Sequence, residues 1–521
     1  MIPIRQHTSQ IRSIRKIGNW KQYSHMKFYI TTPIYYVNSK PHIGHAYTTI
    51  VADILARYYR RQYGAKNVFF LTGTDEHGAK IAQSAEAAGL EPQIFCDQIA
   101  GEFKTAWSAL NILNDDFIRT TEPRHEKIVK KVLTELKNAK TPKGNAAIYE
   151  GEYSGLYCVG CEAYKKESDL VDGKCPDHNK EPEFLKEKNW YFRLSDFADV
   201  LREKIENNEI EILPAERKTE ILSFINQGLE DIAISRQQVK WGIALPFDTK
   251  QTTYVWVDAL LNYISALSYP AGDNFKKFWP ANVQLLAKDI AKFHCIIWPA
   301  MLIAIGVEPP KTLFVHGYFT IDGKKMSKTL GNVIDPKDLV EQFGVDAARY
   351  LIISQFPFGQ DGDIKADEFK VKFNADLANG VGNFVSRVLG MTEKYFENKV
   401  PAGETAPVLD WSDVYENYEE NFKRLKIWEN AKLIFDTIKR LDGFIAAAKP
   451  WDVAKTDENE LKTMIYNLLE SIRELSILLE PFLPETSRKI FAKLNIAEGD
   501  EKKPLRAGAT IEKGDALFSR R

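Results

Sequence analysis

Three groups of residues have the types and spacing to do chemistry. His42-Ile43-Gly44-His45 stands at the join between a short β-type run, Phe28 to Thr32, and a long helical pattern. That pattern places Ile43, Ile50, Val51, Ile54, Leu55 and Tyr58 at helical spacing. A strand that feeds a helix through a short loop, here carrying Pro33 and Pro41, is where parallel α/β folds hold phosphate. Free backbone N–H groups and the positive end of the helix dipole are expected to point there. Gly44 has no Cβ, so a nucleotide could lie against the backbone. The imidazoles of His42 and His45 would add donors for a phosphoryl oxygen. Two surface histidines at a helix start are the competing reading.

The second group is Lys324-Lys325-Met326-Ser327-Lys328-Thr329, flanked by Gly323 and Gly331. It puts cations on a loop able to swing. The third is Cys158-x2-Cys161-x13-Cys175-x2-His178. Two close pairs of soft ligands across a short hairpin suit one tetrahedral Zn²⁺. Four protein ligands leave no open coordination position, so such a zinc would be structural.

The elements that must position these groups form a chain of 521 residues, enough for two to four folded units. With 44% apolar and 27% charged residues, the composition is that of an ordinary globular protein. A formal net charge of −1 excludes a uniformly basic body, so a nucleic-acid ligand would need positive charge gathered on one face. Five cysteines, three of them in the metal-type cluster, fit a reducing compartment better than a disulfide framework. The longest apolar run, Cys295 to Val307, is broken by Pro299 and is too short to span a bilayer. Residues 1–25 carry Arg5, Arg12, Arg15, Lys16 and Lys21 without an acid or an apolar h-region. Either an organelle transit peptide or an upstream start codon accounts for them; Met26, directly before the first strand, favours the second.

Along the chain, a strand over Asn67–Leu71 ends in Gly73-Thr74-Asp75-Glu76-His77-Gly78. This is a ligand-binding position in open α/β sheets, or else a helix start capped by Thr74 or Asp75. Helical patterns follow over Ile94–Leu110 and His125–Asn138. Residues 141–240 break the strand–helix rhythm. Tyr254–Tyr263 reads as a buried strand leading into a helix, with Trp256, Ala259, Leu260 and Tyr263 on related faces. Further strands end at Gln284–Ile290 and Leu313–Tyr318. From Asp367 the pattern is helical, with a core stripe of Leu461, Met464, Ile465, Leu468, Leu469, Ile472, Leu475, Leu478 and Leu479. Asn379, Asn383 and Arg387 recur every four residues, and Trp451 follows Lys449-Pro450. An Asn and Arg row with a distant Trp could bond and stack unpaired bases. Bridging between helices is the alternative.

The histidine tetrad and the lysine loop together resemble the HIGH and KMSKS signatures of class I aminoacyl-tRNA synthetases. The residues between them resemble the methionyl-tRNA synthetase family, from about Met26 to the late 480s. The resemblance implies an α/β fold: a Rossmann-type doubly wound parallel sheet split by a zinc-binding insertion, followed by an all-α helical bundle. It divides the chain into an N-terminal extension (1–25), a first Rossmann half (26–140), a connective insertion with the zinc knuckle (141–240) and a second half (241–320). The KMSKT loop and stem-contact region (321–366), a helical anticodon-binding domain (367–497) and a tail (498–521) follow.

In function, the resemblance implies ATP-dependent activation of L-methionine to methionyl-adenylate and transfer to the 3′ end of tRNA(Met), for translation including initiation. His42 and His45, with Lys325 and Lys328, would be catalytic. ATP would also meet Gly44, Lys288, Asp289 and His316. Methionine would lie among Pro33, Ile34, Tyr36, Trp256, Ala259, Leu260, Tyr263 and His294, with Asp75 taking its amino group. Asn379, Asn383, Arg387 and Trp451 would read the CAU anticodon. One structural Zn²⁺ on Cys158, Cys161, Cys175 and His178, Mg²⁺ with ATP, a monomer and a cytoplasmic location (mitochondrial if residues 1–25 are a transit peptide) complete the expectation. The chain departs from the family at Pro33, where some relatives have Ala, at Leu260, where some have Pro, at Ala287, where many have Gly, and at Thr329 for the commoner Ser.

Overall fold

The structure, a computed structural model, describes residues 26–521 except 159–162, 166, 177–178, 325 and 327–331. The chain forms two compact units: one comprises 27–56 and 68–318, and the other contains 57–67 and 319–521.

The first unit is organised by a parallel sheet. Its leading strands are β1 (Phe28–Tyr36), β2 (Val68–Asp75) and β3 (Asp116–Arg119). In space the order is β3, β2, β1, Val283–Ala287, Thr312–His316 and Glu211–Leu213, all paired in parallel. Near-continuous burial along β1 and β2 is what a sheet covered on both faces requires. The helices α1 (Ile43–Tyr63), α2 (Ala79–Ala87), α3 (Pro92–Ala109) and α4 (Pro123–Asn138) connect the early strands. Pro92 and Pro123 open their helices, where a missing N–H costs nothing. On β2, Gly73 faces Ile118 of β3, and a Cβ there would sit 2.0 Å from the Ile118 carbonyl oxygen. That glycine lets the two strand ends close up before the ligand-facing loop.

Two elements differ from expectation. The span 141–240 is not wholly outside the sheet: Glu211–Leu213 pairs with Thr312–Phe314 and forms its edge. Three residues are too few to show a strand period. The separate layer within that span is antiparallel, with Ile148–Cys158 running against Glu183–Phe192. Tyr254–Tyr263, read as a buried strand leading into a helix, is instead helical from Val255, with the helix Val255–Leu260; the strand lies earlier, at Asp248–Thr253. Burial of Val255 and Val257 in the core overrides their local preference.

The second unit is largely helical, with Trp411–Lys423, Ile427–Ala448 and Glu458–Leu479 among its helices. All nine residues of the expected apolar stripe are buried. Asp457 caps the helix that carries them by accepting the N–H groups of Asn459 and Glu460, both at 2.9 Å. Arg349, fully buried, donates to the carbonyls of Phe482 (3.2 Å) and Pro481 (3.1 Å) and so anchors the turn after that helix. Among the described residues no helix is long and apolar enough to cross a membrane.

Candidate active site and binding surfaces

At the start of α1 the two histidines stack, with ring centroids 3.8 Å apart. The His42 N–H donates to His45 Nδ1 at 3.2 Å, and the Gly44 N–H donates to His42 Nδ1 at 3.1 Å. With Nδ1 accepting, the proton of each neutral ring lies on Nε2. Burial, and then the neighbouring His42, hold the His45 pKa well below its ordinary value, so His45 is a neutral Nε2–H donor. Tyr35 and Phe103 pack on it at 4.9 and 5.3 Å. Three of the backbone N–H groups expected to be open to a phosphate here are paired within the helix start. The N–H of Gly44 goes to the His42 ring, and those of His45 and Ala46 go to the His42 carbonyl. The imidazoles cap the helix start, and each neutral ring keeps its N–H at Nε2.

Lys288 and Asp289 occupy a single helical turn after the strand Val283–Ala287, with the Lys288 ammonium 4.6 Å from the Tyr318 ring centre. His316 ends its strand in the interior, Nδ1 against the Gly317 carbonyl (2.9 Å) and Nε2 against the Thr48 hydroxyl of α1 (2.8 Å). Burial lowers its pKa to about 4. Lys325 and Lys328 lie outside the described residues. The turn before them is braced by Asp363, which accepts from Thr320 Oγ1 (2.5 Å) and the Gly323 N–H (2.8 Å). Gly323 there adopts φ +71°, open to glycine without strain.

The aromatic slot is assembled from four elements. Trp256 stacks flat on Phe293 at 3.9 Å and meets His294 edge-on at 6.3 Å. The Tyr263 hydroxyl lies 2.8 Å from His294 Nε2, and His294 Nδ1 lies 3.0 Å from the Ile290 carbonyl. A carbonyl can only accept, so Nδ1 carries the proton and Tyr263 donates to Nε2. Burial lowers the His294 pKa to about 4, which keeps the ring neutral. Ala259 and Leu260 are buried beside it in sequence, and the half-buried Ile34 and Tyr36 pack against the same core. Pro33 sits where the β1–β2 register shifts, between Thr31 and Ile34. Asp75 ends β2 opposite Tyr36.

Thr74 and Asp75 do not cap α2. Gly78 stands at that position with no side-chain bond, and Thr74 Oγ1 donates to Glu76 at 2.7 Å. Glu76 is the centre of the loop, held by Arg119 Nε (2.6 Å) and its second nitrogen (2.9 Å) and by Thr121 Oγ1 (2.5 Å). Phe293 and Glu76 were missed as site residues; the flat stack and the buried ion pair become visible only in three dimensions.

Of the metal-type residues, Cys158 and Cys175 are described and Cys161 and His178 are not. Both described thiols are buried; Cys158 pairs with Ala163 and Cys175 with Lys180. Two buried thiols are donors of the kind a structural zinc site uses.

In the second unit, Asn379 belongs to a π-helical stretch, Phe373–Gly382, which passes into the helix Asn383–Phe396. The wider π turn loosens the four-residue spacing that suggested a single face. Asn379 and Asn383 are exposed; Arg387 is half-buried and donates to Asp442. Lys449 ends one helix in the left-handed conformation and Pro450 starts the next, which leaves Trp451 41% exposed. An exposed indole at a helix corner is a ready stacking surface.

A parallel sheet whose first strand passes to a helix through His42-Ile43-Gly44-His45 defines a class I tRNA synthetase. The family model "tRNA synthetases class I (M)" matches residues 28–181 and 167–389, and "Anticodon binding domain of methionyl tRNA ligase" matches 399–519. A methionine–tRNA ligase of Streptomyces coelicolor is 40% identical over 526 residues, covering 95% of this chain and 96% of that protein. One from Clostridium acetobutylicum is 44% identical, covering 95% and 78%. The solved structure of Mycobacterium tuberculosis methionyl-tRNA synthetase in complex with methionyl-adenylate superposes with a TM-score of 0.90 at 34% identity, covering 95% of this chain and all of that one. The chain belongs to the methionine–tRNA ligase family.

Proposed function

We propose that this chain joins methionine to tRNA(Met) in two steps, and that its residues divide the work as follows. The methionine carboxylate attacks the α-phosphorus of ATP in line, giving methionyl-adenylate and pyrophosphate. The terminal adenosine hydroxyl of the tRNA then attacks the activated carbonyl, loses its proton, and the acyl–phosphate bond breaks to release AMP. No enzyme group bonds covalently to substrate, so rate comes from positioning and from charge stabilisation. His42 and His45 donate Nε2–H to phosphoryl oxygens, and Lys325 and Lys328 offset the charge on the departing pyrophosphate. Gly44, Lys288 and Asp289 border the nucleotide, while His316 acts by bracing α1 through Thr48. Asp75 takes the methionine ammonium. Trp256, Tyr263 and His294 wall the thioether, an environment in which each sulfur–aromatic contact contributes about 0.3–1.5 kcal/mol. Mg²⁺ enters with ATP as part of the substrate.

The observation that carries this reading is the Nδ1-accepting arrangement of His42 and His45, which makes donors of both rings at a helix start. Pyrophosphate exchange with each amino acid in turn, with and without tRNA, tests it. Exchange should depend on methionine, and exchange with cysteine, leucine or isoleucine alone would overturn it.

A single Zn²⁺ held by Cys158, Cys161, Cys175 and His178 would cross-link the two turns of the insertion and take no part in the reaction. Cys175→Ser should abolish bound zinc, read by metal analysis of the purified chain; one zinc per chain in the variant would refute the ligand set. Asn379, Asn383, Arg387 and Trp451 read the anticodon in this scheme. Trp451→Ala should lower aminoacylation by about 1–3 kcal/mol of stacking while sparing pyrophosphate exchange. Equal losses in both assays would count against that role. The gathering of three of the five cysteines in one metal-type motif supports a reducing, cytoplasmic setting. A monomer is part of the same reading, and light scattering would check it.

A further inference from the structure

One buried polar cluster has no part in the roles given above. Asp258 lies in the helix Val255–Leu260, two residues after Trp256, and is 1% exposed. Its Oδ2 accepts from His77 Nδ1 at 2.7 Å, and its Oδ1 accepts from His125 Nε2 at 2.7 Å. The other nitrogen of His125 lies 2.7 Å from Ser265 Oγ. His77 follows Asp75 by two residues, His125 stands in the first turn of α4, and Ser265 ends the helix that carries Tyr263. One carboxylate thus joins the loop after β2, the start of α4 and both slot helices.

Taking an ion out of water costs several kcal/mol, and well-packed apolar residues often do as well or better for stability. What a paired carboxylate adds is directional, charge-assisted bonding that sets how the joined elements lie relative to each other. The opposite side of the same loop is already fixed. Arg119 holds Glu76, the Trp241 indole donates to the Glu76 carbonyl (2.6 Å), and the Gly78 N–H donates to the Trp241 carbonyl (3.0 Å). Those bonds tie the loop to β3 and to Trp241; the tie to the slot helices is made by Asp258.

We propose that Asp258, acting through His77, is a positioning residue for methionine. It holds the Asp75 loop and the aromatic slot in one register, so that the ammonium and thioether ends of a single substrate are gripped together. The proposal rests on the reading of Asp75 as the ammonium partner and of Trp256, Tyr263 and His294 as the slot. The charges around the pair favour its ionised form. His77 faces Asp258, with the Glu76 and Glu126 carboxylates also acting on it and the Trp241 ring edge-on at 5.6 Å. Burial opposes its charge, but the carboxylates outweigh burial and raise its pKa. Burial likewise opposes ionisation of Asp258, and His77 and His125 together hold its pKa below the ordinary value.

The test is methionine-dependent pyrophosphate exchange by the full chain with Asp258→Asn, His77→Gln and the double variant. Asp258→Asn should raise the methionine KM by about tenfold or more, the scale on which small misplacements act, while the ATP KM stays within about twofold. The double variant should be no worse than the worse single change, because both break the same tie. A parallel rise in both KM values, or an unchanged methionine KM in a folded variant, would overturn the proposal. If Asp258→Asn does not fold, His77→Gln decides by the same selective rise or its absence. A wild-type chain without methionine-dependent exchange would overturn the functional reading itself, which separates the two failures.

Discussion

The histidines at the start of α1 and the later buried pair, His294 in a helical turn and His316 at a strand end, are the same residue put to opposite uses. His42 and His45 accept backbone N–H groups at Nδ1, so their protons sit on Nε2. His294 and His316 have the reverse arrangement: Nδ1–H donates to the carbonyls of Ile290 and Gly317, and Nε2 accepts from the hydroxyls of Tyr263 and Thr48. The first pair presents donors. The second pair spends both nitrogens on the protein's own groups and thereby aligns Tyr263 in the slot and Thr48 on α1. What an imidazole can do for a ligand is decided by the partner of its other nitrogen. Both pairs were equal candidates as residue types, and the tautomers, assigned from their partners, separate them.

The sharpest way to break this contrast is to remove one presenting ring. His45→Ala should cut pyrophosphate-exchange kcat by about 10²–10³-fold, the usual loss for one preorganised donor to a developing charge. The variant should remain folded by circular dichroism. A loss under about tenfold would mean that the pair caps α1 and does little else.

A milder change probes the consumed pair. Tyr263→Phe takes away the hydroxyl that His294 Nε2 accepts and leaves a buried acceptor unsatisfied, which costs about 1–3 kcal/mol of stability. The expected readout is a lower urea midpoint with unchanged slope. An unchanged midpoint would show that the Nε2 lone pair finds another donor, and would remove the argument for a fixed tautomer.

How far these roles could be read in advance depended on the length of the pattern that carried them. The α1 pattern and the runs around Val68–Leu71 and Leu313–His316 span enough residues for period and burial to agree, and they were legible. The three-residue strand Glu211–Leu213 is shorter than any period. The π-helical turns Phe373–Gly382 leave no mark in residue type, because an extra residue per turn is set by the packing of Phe373, Leu377 and Val381 into the core. Asp258 was hidden for another reason. Its partners, His77 and His125, lie 181 and 133 residues away, and an acid inside an apolar helix looks the same whether it meets water or two imidazoles.

The smallest expected effect sharpens the contrast through pH. A histidine held neutral in the fold binds its proton more readily when unfolded, so its contribution to stability falls as pH drops from its unfolded pKa toward its folded one. For His294 and His316 that window runs from the ordinary 6.5 down to about 4. Between pH 7 and pH 6 each should cost the fold about 0.7 kcal/mol by proton linkage. His77 has the opposite sign. Its raised pKa means that its stabilising charge is fully present below 6.5 and is lost as pH climbs through the folded value. Asp258 is lowered, so its contribution holds above 3.8 and falls away only as pH drops through its folded pKa. Over the pH 7 to 6 interval the buried neutral rings therefore lose stability while the His77–Asp258 pair does not. Replacing His316 with Gln removes one titrating ring and leaves an amide able to bond Thr48. Urea midpoints at the two pH values should then converge by about 0.7 kcal/mol relative to the unaltered chain. Equal pH slopes in the two proteins would mean that His316 titrates alike in the folded and unfolded chain, and the division between presenting and consumed histidines would fail at that residue.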